Sequence, residues 1–295
     1  MIKAHLSGKG SLCFILLVAV APAAALASGP FQRTATFYTT RTPRISVTNL
    51  TGTVIIRGWD RPQVDAVYVI ASPHIEIDTE QVPSQGEAEK IQLATHLLDR
   101  SLQGANAKVD YTLDVPMGSS LEIRNPQGSV RIHSLSGDTW VQSVGGNIYI
   151  SDASGQIIAH SLGGQIEIDR ASGYIEASSV TGNLKFVSPT SSQIHASTTS
   201  GQISYQGKLV PAGDYVMSTY NGNIDFVCPP SSSFELNARS VHGKLDNQLK
   251  LVSKNHHPSV SSYGTALFGM HNQGTATLEL TSFRGTIRIT PQPQP

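Results

Sequence analysis

The sequence predicts an all-β protein: a β-solenoid-like repeat array with about two strands per 18–21-residue coil and one capping helix, with an antiparallel two-sheet β-sandwich as the alternative. Three observations carry this. Glycines fall at 128, 137, 146, 155, 164, 173 and 182, a spacing of nine held six times, and again at 201, 222, 243, 264 and 285, a spacing of 21 held four times. Self-similarity at a fixed period is the mark of a repeat architecture. Next, the second and fourth residues after the Gly of the nine-residue series, Thr139 apart, are apolar, as in Ile148/Ile150 and Ile166/Ile168, which is the period-two pattern of a short strand with one buried face. Finally, alternate glycines are preceded three residues earlier by Ser or Thr: Ser143, Ser161, Ser179, Thr198, Thr219, Ser240, Ser261 and Ser282. Asn49 before Gly52 and Asn125 before Gly128 extend the series.

The real unit is therefore two nines, one coil of two strands and two turns. A coil of this size cannot bury its own apolar face, so coils must stack, about 4.8 Å apart, to give each strand a partner and make one core. Gly52, Gly128, Gly146, Gly164, Gly182, Gly201, Gly222, Gly243 and Gly285 are expected as structural turn residues with φ > 0, their Ser or Thr bonding the turn backbone. The seventh residue of each nine (Leu135, Val144, Ala153, Leu162, Ala171, Val180) is expected as a further inward residue at the turn. Asn147, Gln165, Asn183, Gln202 and Asn223 follow successive glycines and are expected to stack as an amide ladder.

The elements follow in order. Residues 1–27 have the layout of a secretory signal peptide: Lys3 and Lys9, an apolar run from Leu12 to Ala25, then Ala25-Leu26-Ala27 as a cleavage signal. The run is short of the roughly 20 residues a membrane span needs, and no later segment reaches that length. Residues 28–120 form an N-terminal β region, with strands around Ile45–Val47, Val54–Ile56, Val64–Ile70 and Val109–Val115. Within it, Ser84-Gln85-Gly86-Glu87 resembles a capping box, and Ile91, Ala94, Leu97, Leu98 and Leu102 recur at helical spacing. This predicts an amphipathic helix near 86–103 that caps the array. Residues 121–290 are the glycine-punctuated array, weakest over 246–275, where a long loop is expected; 291–295 is a Pro-Gln tail expected to be disordered.

Composition narrows function by exclusion. With 21 basic and 21 acidic residues the chain carries no net charge, and cleavage after Ala27 would leave it at −2. Nucleic acid is not expected as a partner, because it demands a basic footprint. Charged residues are only 14% of the chain, against roughly 25% in an ordinary soluble domain. Cys13 lies in the leader, so Cys228 is the one mature cysteine; in Phe226-Val227-Cys228-Pro229 it is expected to be a small buried residue. The Gly-Gly pairs at 145–146 and 163–164 lack the Asp of calcium-binding nonapeptides, and His256, His257 and His271 have no metal-ligand spacing, so neither metal nor cofactor is expected.

The outward rows are the candidate binding surface. Stacked at 18 residues, one strand presents Arg131, Tyr149, Glu167 and Lys185; the other presents Trp140, Ile158, Glu176 and, with Ser192 in the Gly place, His195. Trp140, Tyr149, Glu167, Glu176 and His195 are the candidate contacts, and no catalytic residue is assigned. A carbohydrate-active enzyme built on Glu167, Glu176 and His195 is the competing reading, and an envelope-stress regulatory protein docking through the helix is a third.

The run Ile45-x-Val47-x-Asn49-x-x-Gly52-x-Val54-x-Ile56-Arg57-Gly58-Trp59-Asp60, with Tyr111-Thr112-Leu113-Asp114-Val115-Pro116-Met117-Gly118 leading into the repeats, resembles the opening of the bacterial putative adhesin family. That is a family of secreted or membrane-tethered β-strand-repeat proteins of unknown function. The resemblance covers roughly 45–290, implies an elongated all-β repeat fold, and supplies no catalytic residues. The reading is then a non-enzymatic extracytoplasmic β-repeat protein, in the periplasm, on the cell surface or secreted, that binds an envelope or surface partner, glycan or protein.

Overall fold

The structure, a computed structural model, describes residues 30–252 and 265–293. The expected signal peptide, His256, His257, Ser261, Gly264 and the last two residues of the tail lie outside the described residues.

Two sheets share one long strand, β1 (Phe31–Thr48). In the first sheet the spatial order is β1, β3 (Gln63–Ile70), β6 (Val109–Pro116), β2 (Val54–Trp59), β8 (Val130–Leu135), β10 (Ile148–Ala153), β12 (Ile166–Asp169), β14 (Leu184–Val187), β16 (Ile203–Gln206), β18 (Ile224–Cys228), β23 (Ile287–Pro291) and β20 (Leu245–Asn247). In the second it is β4 (Ile75–Val82), β5 (Ala88–Leu97), β1, β7 (Ser120–Arg124), β9 (Thr139–Ser143), β11 (Gln156–Ser161), β13 (Tyr174–Ser179), β15 (Gln193–Thr198), β17 (Asp214–Asn221), β22 (Ala276–Arg284), β19 (Phe234–Ser240) and β21 (Thr265–His271). Pairing within the array is parallel, so the fold is the β-solenoid and not the antiparallel sandwich. Among the described residues antiparallel strands occur only towards the ends, where β3, β4 and β21 depart from the parallel ladder. Such interruptions blunt the edges of a stack that could otherwise template further strands.

One core lies between the sheets. Ile148, Ile166, Leu184, Ile203, Ile224 and Ile287 sit in register on the first sheet, and Ile157, Ile175, Ile194, Tyr215 and Leu278 on the second, all fully or almost fully buried. Phe186, Tyr205 and Phe226 are register partners on successive coils, and the rings of the last two stack at 4.5 Å and 4°. Cys228 is buried beside them, and burial pushes its thiol up to about 11.

Several expectations are corrected. Residues 86–103 contain no α-helix: Ala88–Leu97 is strand β5, and only a short 3₁₀ turn, Gly104–Ala107, follows. Ile91, Leu93 and Thr95 are its inward residues. The period of two was hidden because the third is polar; Thr95 is satisfied inside the core, bonding Asn49 Oδ1 at 3.0 Å and the Tyr111 hydroxyl at 2.6 Å. The supposed capping box is the β4–β5 turn, with Gly86 at φ +86°.

Gly52, Gly128 and Gly285 have the expected positive φ, at 119°, 108° and 159°, but the repeat glycines Gly146, Gly164, Gly182, Gly201, Gly222 and Gly243 do not. They are required by stacking: a Cβ on Gly164 would lie 1.9 Å from the Gly146 carbonyl oxygen, and one on Gly182 2.0 Å from that of Gly164. The Ser and Thr bond turn backbone, Ser143, Ser161 and Ser179 within their own turn and Thr198, Thr219, Ser240 and Ser282 to the adjacent coil. Ser161 Oγ accepts the Gly164 N–H at 2.9 Å, and Thr219 Oγ1 donates to the Gly201 carbonyl of the coil below at 3.1 Å. The amides stack but do not bond one another. Asn147 Oδ1 accepts the backbone N–H of Gln165 at 3.0 Å, and Asn183 Oδ1 that of Gln202 at 2.9 Å.

The two turns of a coil also differ. Leu135, Ala153 and Ala171 are buried as expected, because Ser134, Asp152 and Arg170 before them adopt φ of 58°, 51° and 47° and turn the chain inward. At the other turn the Ser or Thr itself takes the inward place, so Val144, Leu162 and Val180 point to solvent. Spatial order also departs from chain order. The coil of Gly285 inserts between those of Gly222 and Gly243, and the coil of Gly52 seats directly on that of Gly128. In the 246–275 region β21 is a strand, and Pro291 of the expected tail pairs with Cys228 at the end of β23.

Candidate functional site

Period-two alternation turns every second side chain of both sheets away from the core. The predicted rows form as expected. On the first sheet Arg131, Tyr149, Glu167 and Lys185 are successive register partners. On the second, Trp140, Ile158, Glu176 and His195 are. The rows lie on opposite faces of the solenoid with the core between them. Glu167 therefore shares no site with Glu176 and His195, and the three-residue enzymatic constellation is not assembled.

Each row is internally bonded. On the first face the Arg131 guanidinium lies 5.1 Å from the Tyr149 ring centroid, and Lys185 Nζ is 3.0 Å from Glu167 Oε1. On the second, the Tyr174 hydroxyl donates to Glu176 Oε2 at 2.9 Å and stands 3.5 Å from His195 Nδ1, joining the two predicted residues. The Glu176 carboxylate holding the Tyr174 hydroxyl proton raises that hydroxyl above the usual phenol range. His195 Nε2 faces Asp214 Oδ2 at 3.7 Å. These are exposed, mutually satisfied pairs, the usual state of charged side chains on adjacent strands.

Trp140 stands elsewhere on that second face, at the wall of a shallow groove of about 560 Å³ across β5, β1, β7, β9 and β11. Its floor and walls include Ser46, Gln92, Glu122, Gln156 and Ile158 with the Arg44 and Lys90 side chains. The Arg124 guanidinium packs 5.1 Å from the Trp140 ring centroid and bonds Glu122 Oε1 at 2.8 Å, which holds the indole. The groove thus joins an aromatic surface to hydroxyl, amide and charged groups on a rigid sheet. Sequence reasoning located Trp140 but missed Ser46 and Gln92. They lie in the N-terminal region, and only the seating of β1 and β5 beside β7 brings them to Trp140. Among the described residues, His271 is buried against backbone carbonyls, its ring nitrogens 2.8 Å from Lys250 O and 3.1 Å from Pro230 O.

No family model matches the chain, and no curated protein matches it. Solved structures similar to it are a putative adhesin from Bacteroides fragilis (13% identity, 89% of this chain and 97% of that one, TM-score 0.44), a putative adhesin from Parabacteroides merdae (9%, 90% and 97%, 0.34) and a putative cell adhesion protein from Clostridium sporogenes (10%, 89% and 100%, 0.31). They bear the name of the family that the opening run resembles. At these scores the likeness decides neither fold nor function.

Proposed function

We propose that the chain is a non-enzymatic extracytoplasmic binding module, and that the groove at Trp140 takes a carbohydrate of the cell surface or envelope. The observation that carries this is the groove itself. A sugar ring offers an apolar face and a rim of hydroxyls. Trp140 and Ile158 offer apolar surface, and Ser46, Gln92, Gln156 and Glu122 offer donors and acceptors beside it. The site is open and shallow, which suits an extended chain passing across the strands. The leader of residues 1–27 supports exposure to such ligands.

The test is a glycan array probed with the purified protein and with Trp140→Ala. Specific retention by the wild type, reduced about tenfold or more in the variant at unchanged melting temperature, is expected. Retention of the same glycans by both would remove the groove from the reading. Turnover of any retained glycan, abolished by Glu176→Gln, would replace the binding module with the enzyme.

A further inference from the structure

The outward-pointing turn residues form a second surface, distinct from the groove. The residue after each Ser, Thr or Asn of the repeat lies at one edge of the solenoid, in spatial order Leu50, Pro126, Val144, Leu162, Val180, Thr199, Tyr220, Phe283 and Val241. Leu162 is 57% exposed, and Val144, Val180 and Tyr220 are nearly as open. Backbone bonds between successive turns, such as Gly163 N–H to Val144 O and Thr181 N–H to Leu162 O, both 2.8 Å, keep the row straight. At strand spacing the nine rungs make a ridge roughly 38 Å long.

Charge within the nine turns themselves has one sign. In the nine turns, counted from the residue before each Ser, Thr or Asn to the residue after each Gly, there is no Asp or Glu. Arg239, Lys244 and Arg284 lie at one end of the ridge, where Tyr220 and Phe283 stack at 4.5 Å and Arg284 lies 5.8 Å from the Phe283 ring centroid. Asp138 and Asp152 lie at the opposite edge, while Asp110, paired with Lys108, and Asp99 stand beyond the Leu50 end of the ridge, Asp110 Oδ1 accepting the Thr53 N–H at 2.7 Å.

We infer that this ridge docks the solenoid edge-on to an anionic lipid surface. Aliphatic side chains with aromatic and cationic residues beside them, and no carboxylate within the turns, match the boundary between acyl chains and phosphate headgroups. Each basic side chain near such a surface is attracted to it. A second copy of the chain fits less well. A ridge one turn wide offers roughly 400 Å², about half of what each partner of a stable dimer buries. The inference does not depend on the glycan reading, since it uses another surface.

Protein recovered after export with its own leader is mixed with phosphatidylcholine vesicles, alone or with about one third phosphatidylglycerol, and sedimented. Binding to the anionic vesicles is expected, weakening as salt screens the charges. Leu162→Asp should lower the affinity at least tenfold and Arg284→Glu several-fold. Met117→Asp, at an exposed apolar position of the opposite edge, should leave it unchanged. Melting curves check that the variants fold; if Leu162→Asp does not, Arg284→Glu decides. Absence of binding to anionic vesicles, equal binding by a folded Leu162→Asp or, where that variant does not fold, by Arg284→Glu, or equal loss in Met117→Asp would overturn the inference. So would self-association in solution abolished by Leu162→Asp, which would make the ridge a contact between copies.

Discussion

Gly145 and Gly146 are adjacent and chemically identical, yet the stacking gives them opposite fates on substitution by Ala. A Cβ on Gly146 would lie 1.7 Å from the Gly128 carbonyl oxygen and 2.6 Å from its carbon. Contact begins at about 3.4 Å, so the coils must part there by roughly 1.7 Å. They are tied on either side of the clash by Gly145 N–H to Pro126 O and Val130 N–H to Asn147 O, both 2.9 Å. Parting by that amount breaks both, and a buried group left without a partner costs about 1–3 kcal/mol. Gly146→Ala is therefore expected to destabilise by about 2–4 kcal/mol. Gly145 has nothing within 4 Å of its Cβ position, and its φ is not positive. Gly145→Ala should be neutral, or stabilise by up to about 1 kcal/mol by restricting the unfolded chain. Urea unfolding followed by far-ultraviolet circular dichroism measures both. Equal stabilities for the two variants, or a larger loss for Gly145→Ala, would refute the claim that the glycine ladder serves close packing.

Two further perturbations follow from buried polar groups. Thr95→Val keeps the shape of the side chain but strips Asn49 Oδ1 and the Tyr111 hydroxyl of the bonds that Thr95 supplies. It should cost about 2 kcal/mol in the same urea titration, and a change below about 0.5 kcal/mol would mean that Thr95 merely fills space. Cys228 should resist alkylation in the native state. Its thiol is raised from 9.0 to about 11 by burial, so its contribution is present below pH 9 and is lost as pH rises towards 11, a change of roughly 2–3 kcal/mol at 1.36 per pKa unit. Cys228→Ala should flatten the stability–pH curve in that window, and parallel curves for the two proteins would show the thiol to be uncoupled from folding.

Repeat period, strand register and the inward and outward rows were legible from residues alone, because a parallel stack places equivalent residues of successive coils side by side. Ile148, Ile166 and Leu184 could be paired from the spacing of Gly146, Gly164 and Gly182, and Trp140 could be set facing outward. Ser143, Ser161 and Ser179 likewise announced their bonds, since donor and acceptor lie three residues apart in the chain, whereas the bonds of Thr198, Thr219, Ser240 and Ser282 to carbonyls of neighbouring coils did not show in the sequence. Whatever depended on a partner distant in sequence was decided by tertiary structure. Residues 88–97 have a pattern compatible with helix or strand, and the seat between β4 and β1, with Asn49 and Tyr111 waiting for Thr95, settled it as strand. The expected φ held at Gly52 and Gly128 but failed at Gly146 and Gly164, because nothing in Gly-Gly-Asn or Gly-Gly-Gln shows how near the next coil's carbonyl will come. The groove is likewise a product of assembly: Ser46 and Gln92 reach Trp140 only because β1 and β5 dock beside β7. Alternation along one strand is local and therefore readable; the order and separation of coils is set by hydrogen bonds and burial between segments far apart in the chain, and is not.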